Sequence, residues 1–254
     1  MTTRPALRPL VAAAVLGAAL AAAGPASPAL ASPVGACPTV GRTLARASNP
    51  TVRVYRTGAS LRACVAPRGQ RRVVRLLDTW SSSTKVAVAS GSVAWTTRRT
   101  VGGLPVDAVT TEVVRTGRTW LRAEDAAPSP DSATPAAADR VLRVLTDGRA
   151  TAWVTASGVV AAAVRRIDLS STTLYGAGVP GTVPYRSDHT FFLRQAGPAH
   201  AAAVARRLRF ALGGDGDECG GTVDHQLLVP GWDTRPPLIF VYASVPWEAK
   251  GPCG

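Results

Sequence analysis

The sequence predicts an all-β fold, assembled from repeats of about 40 residues and stapled by disulfides. Three observations carry that expectation: short alternating runs rich in Val and Leu, glycine-bearing turns between them, and four cysteines behind an export-like leader. The chain has 254 residues, 46% of them hydrophobic and 18% charged, an apolar share that excludes disorder as its main state.

Residues 1–31 read as a signal peptide. Arg4 and Arg8 supply the positive start, 10–23 an apolar stretch of 14, and Ala29-Leu30-Ala31 a small-residue cleavage site. That stretch is short of the roughly 20 residues that span a bilayer, so no transmembrane span is expected after cleavage. A secreted, extracellular location follows, in an oxidising compartment. Cys37, Cys64, Cys219 and Cys253 then form two disulfides, and proximity favours Cys37–Cys64 and Cys219–Cys253 while leaving the other connectivities open. Residues 34–37, Val-Gly-Ala-Cys, resemble a bacterial lipobox, and the alternative localisation is a lipid anchor through Cys37. The distance from the apolar stretch and the even number of cysteines argue against it.

The body of the chain alternates as strands do. Runs fall at 51–56, 61–66, 72–77, 85–90, 92–97, 106–115 and 118–121, then at 140–145, 150–155, 159–166, 172–175 and 190–193. Ser90-Gly91, Thr116-Gly117, Asp147-Gly148 and Ser157-Gly158 sit where hairpins need turns.

Self-comparison organises these runs. Tyr55, Trp95, Trp153 and Phe192 each lie on a strand followed by a turn and a second strand. Residues 192–197 with 200–204 overlie 153–158 with 161–164 at an offset of 39, and Tyr55 precedes Trp95 by 40. The longer step from Trp95 to Trp153 contains 126–139, an Ala/Pro/Ser/Asp stretch that reads as an inserted loop. A period near 40 with several short strands per unit is the pattern of propeller blades, partial or small, with a β-sandwich as the alternative. Across about residues 48–207 the pattern resembles the repeats of secreted bacterial β-propeller-like proteins. That resemblance implies packing positions and carries no catalytic residues.

Residues 199–210 are Ala- and Arg-rich, which favours helix, whereas the repeat makes their first half a strand; the repeat is followed here. Beyond them, 213–221 is a loop and 238–243 a strand buried on both faces. The expected organisation is therefore a β-repeat domain over 32–207 and a closing segment of the same domain over 208–254.

Lys and Arg number 29 against 16 acids, a net charge of +13, and 27 of the 29 are Arg. Short basic pairs are scattered along the chain without a dedicated run or nucleic-acid motif. The expected partner is an anionic cell-envelope polymer or glycan, and not a specific nucleic acid. The function so predicted is binding or interaction at the cell envelope, with no cofactor.

Candidate sites are few. Asp215, Asp217 and Glu218 alternate near glycines as calcium ligands do, yet an EF-hand frame from Asp215 puts Cys219 and Gln226 where oxygen ligands belong. Asp215 and Asp217 are also the candidate catalytic carboxylates of the alternative function, a glycosidase-like secreted hydrolase, with Asp107, Asp168 and Asp188 as further acids. His189, His200 and His225 lack the sequence context of a nucleophilic triad. Trp80, Trp232 and Trp247 lie among Pro, Gly and Ser and are the candidate ligand-stacking aromatics.

Overall fold

The structure, a computed structural model, describes residues 36–101, 103–124, 126, 140–165, 173–175, 190–214 and 220–248. The described residues are all-β apart from one short helix, and their strands form four small antiparallel sheets of four. The first sheet is β1 (Arg42–Ser48), β2 (Thr51–Thr57), β3 (Ser60–Ala66) and β4 (Val73–Thr79), in that order. The second is β5 (Val86–Ala89), β6 (Ser92–Val101), β7 (Leu104–Val113) and β8 (Arg118–Ala123).

The third sheet begins with β9 (Val141–Thr146), β10 (Ala150–Thr155) and β11 (Val159–Val164). The chain then contributes β12 (Thr173–Tyr175) to the fourth sheet before returning to complete the third with β13 (Thr190–Gln195). Helix α1 (Pro198–Arg207) follows, and β14 (Arg209–Gly213), β15 (Gly220–Val229) and β16 (Leu238–Glu248) finish the fourth sheet in the order β12-β16-β15-β14.

The period-2 alternation of the strands explains how the sheets stack. In β6, Val93 and Trp95 point back into a cluster with Val52, Val54 and Leu61 of the first sheet. Ala94, between them, points forward into a cluster with Trp153, Ala161 and Ala163 of the third. Ala152 and Val154 of β10 point onward again, to Leu227, Phe240 and Tyr242 of the fourth. Each junction between sheets consecutive in that order thus has its own hydrophobic cluster, and each fully buried large side chain contributes about 1.5–3 kcal/mol.

Polar bonds cross the same junctions. The Arg75 guanidinium on β4 donates to the Val114 carbonyl at 2.9 Å, and the Thr111 and Thr151 hydroxyls meet at 2.9 Å. The Trp153 indole donates to the Ala126 carbonyl at 2.6 Å.

The outer face of the first sheet carries a strap. Arg53 is 4% exposed, and its guanidinium donates to the carbonyls of Pro38, Thr39, Val40 and Gly41 while its Nε reaches Thr43 Oγ1 at 2.8 Å. A buried guanidinium with so many acceptors offsets its desolvation through charge-assisted bonds. The Cys37–Cys64 disulfide ties the start of this segment to β3, as proximity predicted. The Cys37 sulfur is taken up by that bond. Cys219 and Cys253 lie outside the described residues, as do the leader, most of the inserted loop and the Asp215–Glu218 cluster.

Two expectations are corrected. Residues 200–204 are helical: α1 begins at Pro198, whose fixed φ suits a first helical position, and continues through an Ala-rich run. Propensity wins over the repeat there. Phe192 does not open a fourth unit but lies on β13, in the same sheet as Trp153 and packed against the same cluster. Two strands facing one core require similar side chains, and that common requirement imitates a repeat.

Candidate binding clefts at the sheet junctions

The edge strand β1 lies beside β5, β5 beside β9, and β9 beside β14. Edge strands carry backbone N–H and C=O groups that no neighbour in their own sheet satisfies. Where β1, β5 and β9 converge, a cleft of about 490 Å³ opens. Ala45, Arg46, Lys85, Val88, Leu142 and Thr146 are among its lining residues. Arg46 is exposed and Lys85 half-buried, and neither side-chain cation has a hydrogen-bond or ion-pair partner among the described residues. Arg143, also in the lining, is committed elsewhere. Its guanidinium donates to the Ala205 and Arg206 carbonyls at 2.6 and 2.7 Å and so satisfies the C-terminal end of α1.

A second cleft, of about 370 Å³, lies between the third and fourth sheets. Asp147, in the β9–β10 turn, organises its wall. Its Oδ1 accepts from the backbone N–H groups of Arg149 and Ala150 at 2.8 and 2.7 Å, an arrangement that closes the turn. Its Oδ2 accepts from the Tyr242 hydroxyl of β16 and faces His225 Nδ1 at 3.6 Å. Gly148, at φ 91°, completes the turn, and a Cβ there would stand 2.8 Å from that of Ser90 in the neighbouring sheet. Burial pushes the Tyr242 phenol far above its ordinary value, and the Asp147 charge raises it further. Tyr242 therefore acts as a fixed donor.

The remaining polar groups are largely structural. Asp107 is buried, pairs with Arg98 at 3.0 Å through Oδ1, and accepts the Val141 N–H at 2.8 Å through Oδ2. With both oxygens committed, it joins the second sheet to the start of β9. Asp224 accepts from the Ser244 hydroxyl at 2.6 Å, and His200 meets Asp233 at 3.0 Å. Glu112 is raised above its usual range by burial, against the opposing charge of Arg75, and its Oε1 is buried without a partner.

The candidate tryptophans differ in availability. The Arg56 guanidinium sits 4.1 Å over the Trp80 ring. Trp232 stacks with His200 at 6.3 Å and has Arg194 and Arg235 within 5.0 and 5.7 Å of its ring. Burial, reinforced by Arg235, lowers the Arg194 guanidinium below its ordinary value. Trp247 is 39% exposed at the end of β16 and has no ring contact among the described residues. Asp215, Asp217, Glu218, Asp168, Asp188 and His189 lie outside the described residues. Among the described residues no group of three His, Cys, Asp or Glu side chains could hold a metal, and no helix is long and apolar enough to cross a membrane.

Sequence reasoning missed Arg46, Lys85, Arg149, Arg165 and Tyr242, and read Asp147 only as a turn residue. Nothing local in the sequence distinguishes these residues; the strand order brings them together. Comparison with protein-family models, curated proteins and solved structures finds no match to this chain.

Proposed function

We propose that this protein is a secreted binding protein of the cell envelope, holding an anionic polymer or glycan in the cleft where β1, β5 and β9 converge. The observation that carries the reading is the pair of uncommitted cations, Arg46 and Lys85, set in an open cleft among strand edges. Cations attract the polymer's charge, and edge backbone groups offer donors and acceptors to its hydroxyls. Three successive sheets with a buried aromatic on the second strand, Tyr55, Trp95 and Trp153, support propeller-like repeats whose first strands line a common channel. The disulfide suits an extracellular location.

The test is co-sedimentation of the purified protein with insoluble cell-envelope polymer, at low salt and at about 0.5 M, where screening lengths fall to a few Å. Retention that survives salt in the wild type and drops at least tenfold in an Arg46→Ala/Lys85→Ala variant supports the reading. Equal retention of the two proteins, or none by either, overturns it.

A further inference from the structure

The second cleft carries a separate inference. Ala150 pairs with Val164 across β10 and β11, and one position outward the Arg165 N–H donates to the Arg149 carbonyl at 2.8 Å. Arg149 and Arg165 are thus direct cross-strand neighbours, both exposed and both lining the cleft. Cross-strand partners have Cβ atoms about 4.5–5.5 Å apart, and like charges at that spacing repel. Neither guanidinium has a hydrogen-bond or ion-pair partner among the described residues. Among the described residues the acid beside them is Asp147, and its oxygens are engaged by two backbone N–H groups and by Tyr242. Two adjacent cations that no described residue pairs, both lining a preformed cavity, are the counterpart of a multiply charged anion.

We propose that this cleft binds a phosphate group through Arg149 and Arg165. A single guanidinium fork satisfies the two oxygens of a carboxylate, whereas two forks together present enough donors for the several oxygens of a phosphate. A phosphate also brings nearly two charges to offset the repulsion of the pair. The cavity, about 370 Å³, exceeds what the phosphate alone occupies, and Val164, Ala243 and the Tyr242 ring line the rest. The room beyond the phosphate suits the small sugar of a phosphate monoester. The inference is independent of the envelope-binding reading, since Arg46 and Lys85 line a different cleft.

The experiment is isothermal titration of the full protein with inorganic phosphate, glucose 6-phosphate and acetate at low salt. Saturable binding of glucose 6-phosphate with Kd below about 1 mM is expected, at least tenfold tighter than acetate, with Arg149→Ala and Arg165→Ala each weakening it about tenfold. Weaker binding of inorganic phosphate than of the ester assigns the site to the ester; equal binding assigns it to free phosphate, and the rest of the cavity then plays no part. Arg46→Ala/Lys85→Ala must leave the titration unchanged. Without phosphate, Arg165→Ala should leave the urea midpoint unchanged or raised. Acetate binding as tightly as phosphate, retention of affinity by an Arg149→Ala/Arg165→Ala variant, or no saturable binding up to 10-fold above the stated Kd overturns the proposal.

Discussion

The hydroxyl of Tyr242 in the fourth sheet donates to the carboxylate of Asp147 in a turn of the third, and the ring carrying it is 1% exposed. Replacing Tyr242 with Phe keeps the ring and removes the donor. Among the described residues Asp147 Oδ2 then faces His225 alone, at 3.6 Å. The loss should be about 1.5–3 kcal/mol, the usual range for a hydrogen bond to a charged group, read as a lower urea midpoint at unchanged slope. The pH sign follows from the raised phenol. Its folded form stays protonated where an unfolded tyrosine ionises, so the contribution is complete below the ordinary value of 10.0 and is lost as pH rises through the higher folded one. Stability of the wild type should fall above about pH 10, and that of Tyr242→Phe should fall less steeply. Parallel alkaline profiles for the two proteins would refute this account.

Glu112 predicts the pH dependence at the other end of the scale. Burial raises its carboxyl, Arg75 opposes the shift without cancelling it, and one oxygen has no partner. A carboxyl with a raised folded pKa favours the fold below its ordinary value of 4.5, and that advantage disappears as pH rises through the folded value. Glu112→Gln removes the charge at nearly constant shape. It should be more stable than the wild type in urea at pH 7.5 and close to it at pH 4. The same difference at both values would place the effect outside ionisation.

Legibility in the sequence tracks local chemistry. Among runs bounded by Gly turns, 150–155 is β10 and 61–66 differs from β3 by one residue, while 106–115 is displaced by two from β7 and 92–97 stops four residues short of the end of β6. In β10 the Ala, Val and Trp residues face cores on both sides, in β3 Leu61, Ala63 and Val65 face one, and both strands leave a dense apolar record. Strand β1 is invisible because Arg42, Arg46 and Ser48 lie exposed on an edge, and edge strands need no apolar alternation. Strand β15 is hidden by its glycines, Asp224 and His225, and it contains no aromatic residue to mark it as the counterpart of β2, β6 and β10. The clefts were the least legible part. Arg149 and Arg165 are 16 positions apart in the chain and become neighbours only through the β10–β11 hairpin, while Asp147 and Tyr242 are 95 apart and meet only through stacking.

The β10–β11 turn offers the sharpest steric prediction. Gly158 has φ 90°, a conformation strained for any side chain, and a Cβ there would stand 2.5 Å from the Gly197 carbonyl oxygen. The neighbour is backbone, at the entry to α1, and it cannot swing aside as a flexible side chain would. The Ala196 N–H also donates to the Gly158 carbonyl at 2.8 Å, so displacing one segment breaks the bond that locates the other. Gly58 separates the two effects: its φ is 58°, but a Cβ there would meet nothing within 4 Å. Gly58→Ala should therefore cost only the left-handed strain, about 1–2 kcal/mol. Gly158→Ala adds a backbone clash to that strain and should cost more than about 3 kcal/mol, with loss of the folded far-UV spectrum at a urea concentration where Gly58→Ala remains native. Equal midpoints for the two variants would mean that the turn and the start of α1 move apart freely, and that their contact does not hold the helix against the third sheet.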